Sequence, residues 1–257
     1  MFFKDHEKPY TEVTMHHPLR RKRLVIYQKR LHLAATIAVL AAPFLLLLVF
    51  SRLVHIATGA LFFDILVSCM RLLIAYAIAA LLAWIGAVAF YRGRRSTVAL
   101  PVFDVLQSFP TFAALPVATL LWGVSEVTVV ALLVFTIIWP IFFSVLSSLK
   151  LMKRDWEEAV EIAGWRGWEY LKRFIWPVSA PGLVTGSIIG LGEGGEALVA
   201  TEIIVHTPFG LGNFFQTFSD NATITSFGIL GLLILIFSVN KLIWLPLLAW
   251  SHELTEE

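Results

Sequence analysis

Charged residues are scarce in this chain. Only 15% of its 257 residues are Asp, Glu, Lys or Arg, whereas soluble domains carry about 25%. Hydrophobic residues make up 58% of the sequence, and its mean hydropathy is +0.79. This composition argues against a soluble globular domain and indicates a polytopic membrane protein.

Cysteine is almost absent, since Cys69 is the single one and lies inside an apolar run. An internal disulfide is therefore excluded, and a small core residue is expected there. A phosphate-binding loop is also missing, because the nearest run, residues 190–195, has no lysine. Histidines at metal-ligand spacing and serines in a nucleophile pattern are likewise missing. We expect no catalysis, no metal and no cofactor in this chain, and no nucleic-acid partner.

Six apolar runs are long enough to cross a bilayer, which takes about twenty residues each. They are continuous rather than alternating, so they predict helices and not barrel strands. The second run is too long for one simple span, and its start is expected to lie along the membrane surface. The runs cover about 33–50, 61–91, 98–122, 127–149, 178–204 and 226–250.

The distribution of basic residues predicts how these runs are oriented in the membrane. Seventeen of the 20 lysines and arginines fall on one side of six alternating spans: eight before the first run, three after the second and six between the fourth and fifth. The opposite side holds Arg52, while Arg71 and Lys241 lie within runs. The positive-inside rule then places both termini in the cytoplasm. The predicted organisation is a basic cytoplasmic tail over 1–31, an all-α transmembrane domain over 32–250 and a short cytoplasmic tail over 251–257. The first 30 residues also lack the apolar core of a cleavable signal peptide.

A charged segment, about 150–177, interrupts the apolar sequence between the fourth and fifth runs. Its apolar residues recur at spacings of three and four, which predicts an amphipathic helix with one apolar stripe. Gly164 and Gly167 would each cost about 1 kcal/mol inside a continuous helix, so two short helices joined by a turn are favoured. Pro177 is expected to end the segment and open the next span. The stripe consists of Trp156, Val160, Ala163, Gly167, Tyr170 and Phe174.

Two interpretations of this segment remain open from the residues alone. It could be an interfacial helix on the lipid headgroups, or a docking element for a soluble cytoplasmic protein. The spacing from Glu158-Ala-Val160 through Gly164 to Ile175-Trp-Pro177 resembles the EAA loop of ABC importer permeases. The order of features resembles that family as well, with six spans and the loop after the fourth. The runs 109–116, 200–212 and 240–244 resemble its nitrate, sulfonate, taurine and bicarbonate branch.

The resemblance implies a transport subunit of a prokaryotic plasma membrane. Such permeases pair with a second permease chain, the same or homologous, and their cytoplasmic loop docks on an ATP-binding cassette subunit that binds ATP and Mg. An extracytoplasmic solute-binding protein usually delivers the solute. The expected function is to form half of the path for a small anion or small polar solute. The residues expected to dock on the ATPase subunit are Glu158, Ala159, Val160, Gly164, Trp165, Gly167 and Pro177.

Charged residues inside the apolar runs are the candidate path residues. Asp64 and Arg71 are seven apart and lie on one helix face, Asp104 lies early in the third run, and Glu193 and Glu196 lie in the glycine-rich fifth. Each costs roughly 3 kcal/mol or more at mid-membrane, so each is expected to face a partner or a cavity.

Structural pairing of Arg71 with a carboxylate on a neighbouring span is one interpretation of these charges. Lining of the translocation path is the other, with Arg71 as the expected partner of Glu193 or Glu196. Glycines around the two glutamates would allow close approach of a neighbouring span or of the solute. The predicted path or gate residues are Glu193, Glu196, Gly192, Gly194, Gly195, Arg71, Phe109 and Pro110.

Two functions from other classes compete with the permease subunit. A self-contained secondary transporter could couple protons through Glu193 or Glu196, although such transporters usually show paired repeats with broken helices. A membrane scaffold could use the segment 150–177 to recruit a cytoplasmic protein. The two glutamates also fit poorly with an anionic solute, which leaves the substrate open.

Overall fold

The computed structural model describes residues 58–239 continuously, together with residues 35, 37, 38, 41, 42, 45, 46, 48, 49, 52, 241, 244, 246 and 247. The continuous stretch belongs to the second of two units into which the chain divides, Pro43–Glu257. The predicted tails 1–31 and 251–257 lie outside the described residues, as does most of the first predicted span.

The stretch 58–239 is helical and contains no β-strand, which confirms the all-α class for this part of the chain. A 3₁₀ turn, Thr111–Ala114, and a π-helix, Leu171–Ile175, connect some of the α-helices. The α-helices are α1 (Thr58–Phe90), α2 (Gly93–Gln107), α3 (Leu115–Trp122), α4 (Glu126–Lys150), α5 (Arg154–Ile162), α6 (Gly167–Tyr170), α7 (Trp176–Val205), α8 (Leu211–Thr217) and α9 (Ala222–Val239).

Three helical segments among the described residues are long and apolar enough to cross a membrane: Leu61–Phe90, Glu126–Lys150 and Gly167–Val205. They match the second, fourth and fifth predicted runs. The second run is one continuous helix, so the structure shows no break where a surface-lying start was expected. α9 covers the beginning of the sixth predicted run, and its end lies mostly outside the described residues.

The third predicted run is not a single straight span. It divides into 99–107 and 111–122, which meet at 91°. Pro110 adopts an extended backbone (φ −63°, ψ 119°) at the break. Proline also disfavours a helical conformation at the preceding residue and supplies no N–H to a helix. The predicted run 98–122 is therefore bent in its middle, and the bend places residues 107–111 beside α4.

α1, α4 and α7 form the core of the unit. α1 and α4 run in the same direction, since Arg71 binds Glu126 near one end and Gly86 lies against Phe142 near the other. Small residues on α1 let the helices approach closely. These fully buried residues are Ala75, Ala79, Ala83 and Ala87, and they share a core with Val129, Leu133, Ile137, Ile141 and Val145 of α4.

A glycine stripe on α7 faces α4 and consists of Gly182, Gly186, Gly190 and Gly194. A Cβ atom added at Gly186 would lie 2.6 Å from Ile141 Cα and 2.8 Å from the carbonyl oxygen of Pro140. Close approach at the fifth run is therefore confirmed for Gly190 and Gly194. Gly192 and Gly195 differ, because a Cβ atom added there would meet nothing within 4 Å.

Gly186→Ala should destabilise the chain, because the new methyl group would collide with the backbone of α4. Overpacking of this kind lowers the free energy of unfolding by roughly 1–3 kcal/mol. Gly192→Ala is the matched control, and its stability should stay the same or rise by less than about 1 kcal/mol. Thermal midpoints measured by fluorescence-detected gel filtration compare the two variants. Equal midpoints would contradict the close α4–α7 contact.

Candidate functional site

The segment between α4 and α7 consists of two short helices, α5 and α6, as predicted. Gly164 (φ +69°) and Gly167 (φ +58°) hold the turn between them in the left-handed region that favours glycine. A Cβ atom added at either glycine would meet nothing within 4 Å. The turn, and not a close contact within the described part of this chain, therefore requires glycine at these positions.

Pro177 does not end this segment, contrary to the prediction. The helical backbone continues from Gly167 to Val205, through the π-helix and the start of α7. Pro177 is the second residue of α7 and lies directly after the π-helix, where the regular α-helical hydrogen-bonding pattern is already interrupted. α6, the π-helix and α7 thus form one continuous element.

The apolar stripe of the segment faces the bundle at its best-buried positions. Val160 and Phe174 are each 7% exposed, and Trp156, Trp165 and Tyr170 pack against the same core. The buried residues of the stripe are therefore not available to fill the groove of a partner protein. The outward side of the segment offers a different set of residues, led by Ile162 (88% exposed) and Trp168 (75%), with Glu158, Ala159, Ala163 and Gly164 also exposed.

Two polar contacts tie the segment to the end of α1. The hydroxyl groups of Tyr91 and Tyr170 are 2.9 Å apart, and Arg92 forms an ion pair with Glu157. Burial raises the pKa of the Tyr91 phenol, and the hydrogen bond with Tyr170 acts in the same direction. Tyr91 therefore stays neutral at physiological pH, and the contact does not titrate there.

One predicted path residue, Glu193, lines a cleft in the helical bundle. The cleft is bounded by the bend after α2, by α4 and by α7, and Glu193 is its acidic residue. Phe109 and Pro110 lie exposed at the bend, and the Phe109 ring is 6.5 Å from that of Phe135. Glu196 and Gly192 are exposed one turn or less along α7, but they do not line the cleft. The cleft residues are Gln107, Ser108, Thr111, Thr136, Trp139, Pro140, Phe143, Ser144, Ile189 and Glu193.

Arg71 lies away from this cleft. Its Nη1 donates to Glu202 at 2.6 Å, while its Nε and Nη2 donate to Glu126 at 2.6 and 2.5 Å. The expected pairing of Arg71 with Glu193 or Glu196 was therefore wrong. The structural interpretation, in which Arg71 pairs with a carboxylate of a neighbouring helix, is confirmed.

Glu202 is the centre of a buried polar network that the sequence analysis missed. Its side chain is fully buried and accepts hydrogen bonds from Ser68 Oγ, Arg71 Nη1 and the backbone N–H of Gly212. Asp64 accepts from the backbone N–H of Gly210. Asp64, Ser68 and Arg71 follow the i, i+4, i+7 spacing of one helix face, and only the first and last were recognised as a pair.

Two glycines make this network possible. Gly210 has φ +122°, and a Cβ atom added there would lie 2.7 Å from both Arg71 Nη1 and the Glu202 carboxylate oxygens. A Cβ atom at Gly212 would collide with Glu202. The Gly-Leu-Gly run after α7 therefore folds directly onto the buried ion pair. We call the contacts among Asp64, Ser68, Arg71, Glu202 and residues 209–212 the glutamate latch.

The sequence model of one family, described as binding-protein-dependent transport system inner membrane component, matches residues 75–243. The chain belongs to this family. The match covers the helical core, the segment 150–177, the cleft and the Glu202 end of the latch. The chain is accordingly a multi-pass membrane protein and a permease of the ABC importer type.

Relatives of this permease carry names from the expected branch. It is 26% identical to the nitrate import permease protein NrtB of Synechocystis over 52% of this chain and 51% of that protein. The bicarbonate transport system permease protein CmpB of Synechococcus elongatus is 22% identical over 60% and 56%. The taurine transport system permease protein TauC of Escherichia coli is 31% identical over 46% and 42%. This permease thus spans about half the length of these relatives.

Glu202→Ala should strongly destabilise this permease, because it leaves the buried Arg71 guanidinium without its buried partner. Removing one member of a buried ion pair costs about 3–5 kcal/mol. Glu126→Ala removes the other partner of Arg71, but the Glu126 side chain is 59% exposed, so a loss of at most about 1 kcal/mol is expected. Thermal midpoints in detergent provide the comparison. A midpoint of Glu202→Ala equal to that of Glu126→Ala would contradict the role of the latch.

Proposed function

We propose that this chain is the transmembrane subunit of an ATP-driven importer and forms half of the path for a small anion or small polar solute. A separate ATP-binding subunit, which binds ATP and Mg, docks on the segment 150–177. A second permease chain, the same or homologous, completes the path, and an extracytoplasmic solute-binding protein delivers the solute. The observation that carries this proposal is the two-helix segment, which exposes one side and is fixed to the bundle by the other.

The connections of the segment support a mechanical role. At one end, α6 continues without a break into α7, a helical element of 39 residues. The Arg92–Glu157 ion pair on α5 and the Tyr91–Tyr170 hydrogen bond on α6 also attach the segment to the end of α1. A displacement of the segment by a closing ATPase subunit would therefore move α1 and α7 together. Both helices pack on α4, so the movement would reach the walls of the cleft.

The placement of basic residues supports an orientation with both termini in the cytoplasm and six spans. Arg92 follows the end of α1, Lys150 ends α4, and Arg166, Lys172 and Arg173 precede α7. These residues meet at one end of the bundle, and the glutamate latch lies toward the other. We assign the basic end to the cytoplasm.

Gly164→Trp should abolish docking of the ATPase subunit while the chain still inserts and folds. The side chain has space within this chain, so the expected defects are the strain of the left-handed backbone, about 1–2 kcal/mol, and a bulky group on the docking surface. Gly123→Trp is the matched control, because Gly123 also has a positive φ (+71°) and open space around it. Co-purification of an ATPase subunit from the native host is the measurement.

The docking role fails if the Gly164→Trp variant retains as much ATPase subunit and transport activity as the Gly123→Trp variant. Transport by the purified chain without any ATPase subunit would instead favour the proton-coupled secondary transporter. An ATPase subunit that binds while no solute crosses the membrane would favour the scaffold.

The orientation predicts which positions react with a membrane-impermeant maleimide. In a Cys69→Ser background, which removes the single native thiol, Asn221→Cys should label in intact cells. Arg94→Cys and Arg166→Cys should label only after the membrane is opened. Labelling of position 166 in intact cells, or of position 221 only in opened membranes, would reverse the assignment.

A further inference from the structure

We infer that the cleft lined by Glu193 recognises a positively charged group of the solute, such as a protonated amine. This inference rests on the proposed function, because it concerns the solute path of the same subunit. It chooses between the two substrate classes named above, the small anion and the small polar solute, in favour of a polar solute that carries an ammonium group.

The charge of the cleft is the first observation. Glu193 lies in its wall, and Glu196 lies exposed one turn further along α7. The sequence has no lysine or arginine between residues 96 and 149 or between 174 and 240, and all residues that line the cleft fall within these two ranges. Arg71 lies outside both ranges, and its guanidinium nitrogens bind Glu126 and Glu202. The charge presented by the lining is therefore negative.

The hydrogen-bonding groups of the cleft are the second observation. Their donors are largely used within the chain: Gln107 Nε2 donates to Asp104 at 2.6 Å, and Ser108 Oγ donates to the carbonyl of Val105 at 2.8 Å. Thr136 Oγ1 donates to the carbonyl of Leu132 or to Thr111. The oxygen atoms of these side chains keep lone pairs that can accept hydrogen bonds from a solute, beside the second N–H of Gln107 and the O–H of Thr111. An ammonium group has only donors to offer, whereas nitrate and sulfonate groups have only acceptors.

The aromatic side chains of the cleft are the third observation. Trp139 and Phe143 line it beside Glu193, and aromatic faces attract cations and alkylammonium groups. The indole N–H of Trp139 is itself buried, so it presents no donor at the surface of the cleft. A carboxylate, lone-pair acceptors and aromatic faces together complement an ammonium group. The same set would repel a nitrate, bicarbonate or sulfonate group.

The charge preference can be measured with a thiol placed in the cleft. Ser108→Cys in the Cys69→Ser background introduces an exposed thiol among the lining residues, with Thr111→Cys as the substitute if this variant does not assemble. The complete complex in native membranes is treated with 2-(trimethylammonium)ethyl methanethiosulfonate or with its negatively charged sulfonatoethyl counterpart. The two reaction rates are divided by those of a small free thiol in the same buffer.

We expect the cationic reagent to react at least about tenfold faster than the anionic one after this normalisation, because one nearby carboxylate attracts the first and repels the second. Glu193→Gln should remove most of the preference. Glu196→Gln is the matched control, since it deletes the same charge outside the cleft, and most of the preference should remain. Equal rates, a preference for the anionic reagent, or an equal effect of both substitutions would overturn the inference.

Protection from labelling then tests the solute class itself. Ethanolammonium chloride should slow modification of the thiol at position 108 several-fold, whereas sodium nitrate and sodium methanesulfonate at equal ionic strength should act as sodium chloride does. Protection by the anions and not by ethanolammonium would overturn the inference. The proposed function is judged separately, by co-purification of the ATPase subunit with the Gly164→Trp and Gly123→Trp variants, so either idea can fail while the other stands.

Discussion

The contact between the glycine stripe of α7 and the backbone of α4 is the constraint on which the rest of the structure depends. Because no side chain separates the two helices at Gly182 and Gly186, α7 can also reach α1. Besides the contacts of Glu202, α1 is joined to α7 by hydrogen bonds from Trp84 to Ser179 and between Tyr76 and Ser187. Since hydrophobic burial does not drive helices together in lipid, close backbone approach and buried polar contacts must stabilise the bundle.

The two ends of α7 are held in different ways, and this difference is compatible with the proposed coupling role of the helix. At the basic end α7 continues into the exposed segment, through a π-helix that loosens the regular hydrogen-bonding pattern. At the other end Glu202 fixes α7 to α1 and to the Gly210–Gly212 turn through buried hydrogen bonds. A push on the segment would therefore rotate or bend α7 about a fixed point, and the cleft at Glu193 lies between the two ends.

The sequence predicted the elements that depend on local pattern and missed those that depend on tertiary partners. Continuous apolar runs identified α4 and α7, and two glycines identified the break between α5 and α6. The hydropathy pattern did not predict the bend at Pro110, because apolar residues continue on both sides of it. Arg71 was assigned to the wrong glutamates, since spacing along one helix cannot tell which neighbour lies opposite. The role of Glu202 was overlooked for the same reason, although the run 200–212 that contains it was recognised as a family feature.

Family membership predicts the helical architecture of the path better than it predicts the side chains that line the path. The relatives named for nitrate, bicarbonate and taurine resemble this chain at 22–31% identity, a level at which the side chains of a cleft can differ entirely. Glycines and prolines that shape the backbone serve any solute, because they act on the helices. Glu193 and the lone pairs of Ser108 and Gln107 are the groups that we propose to contact the solute itself. The substrate must therefore be argued from those side chains, and a carboxylate with no basic side chain among the lining residues favours a cation over an anion.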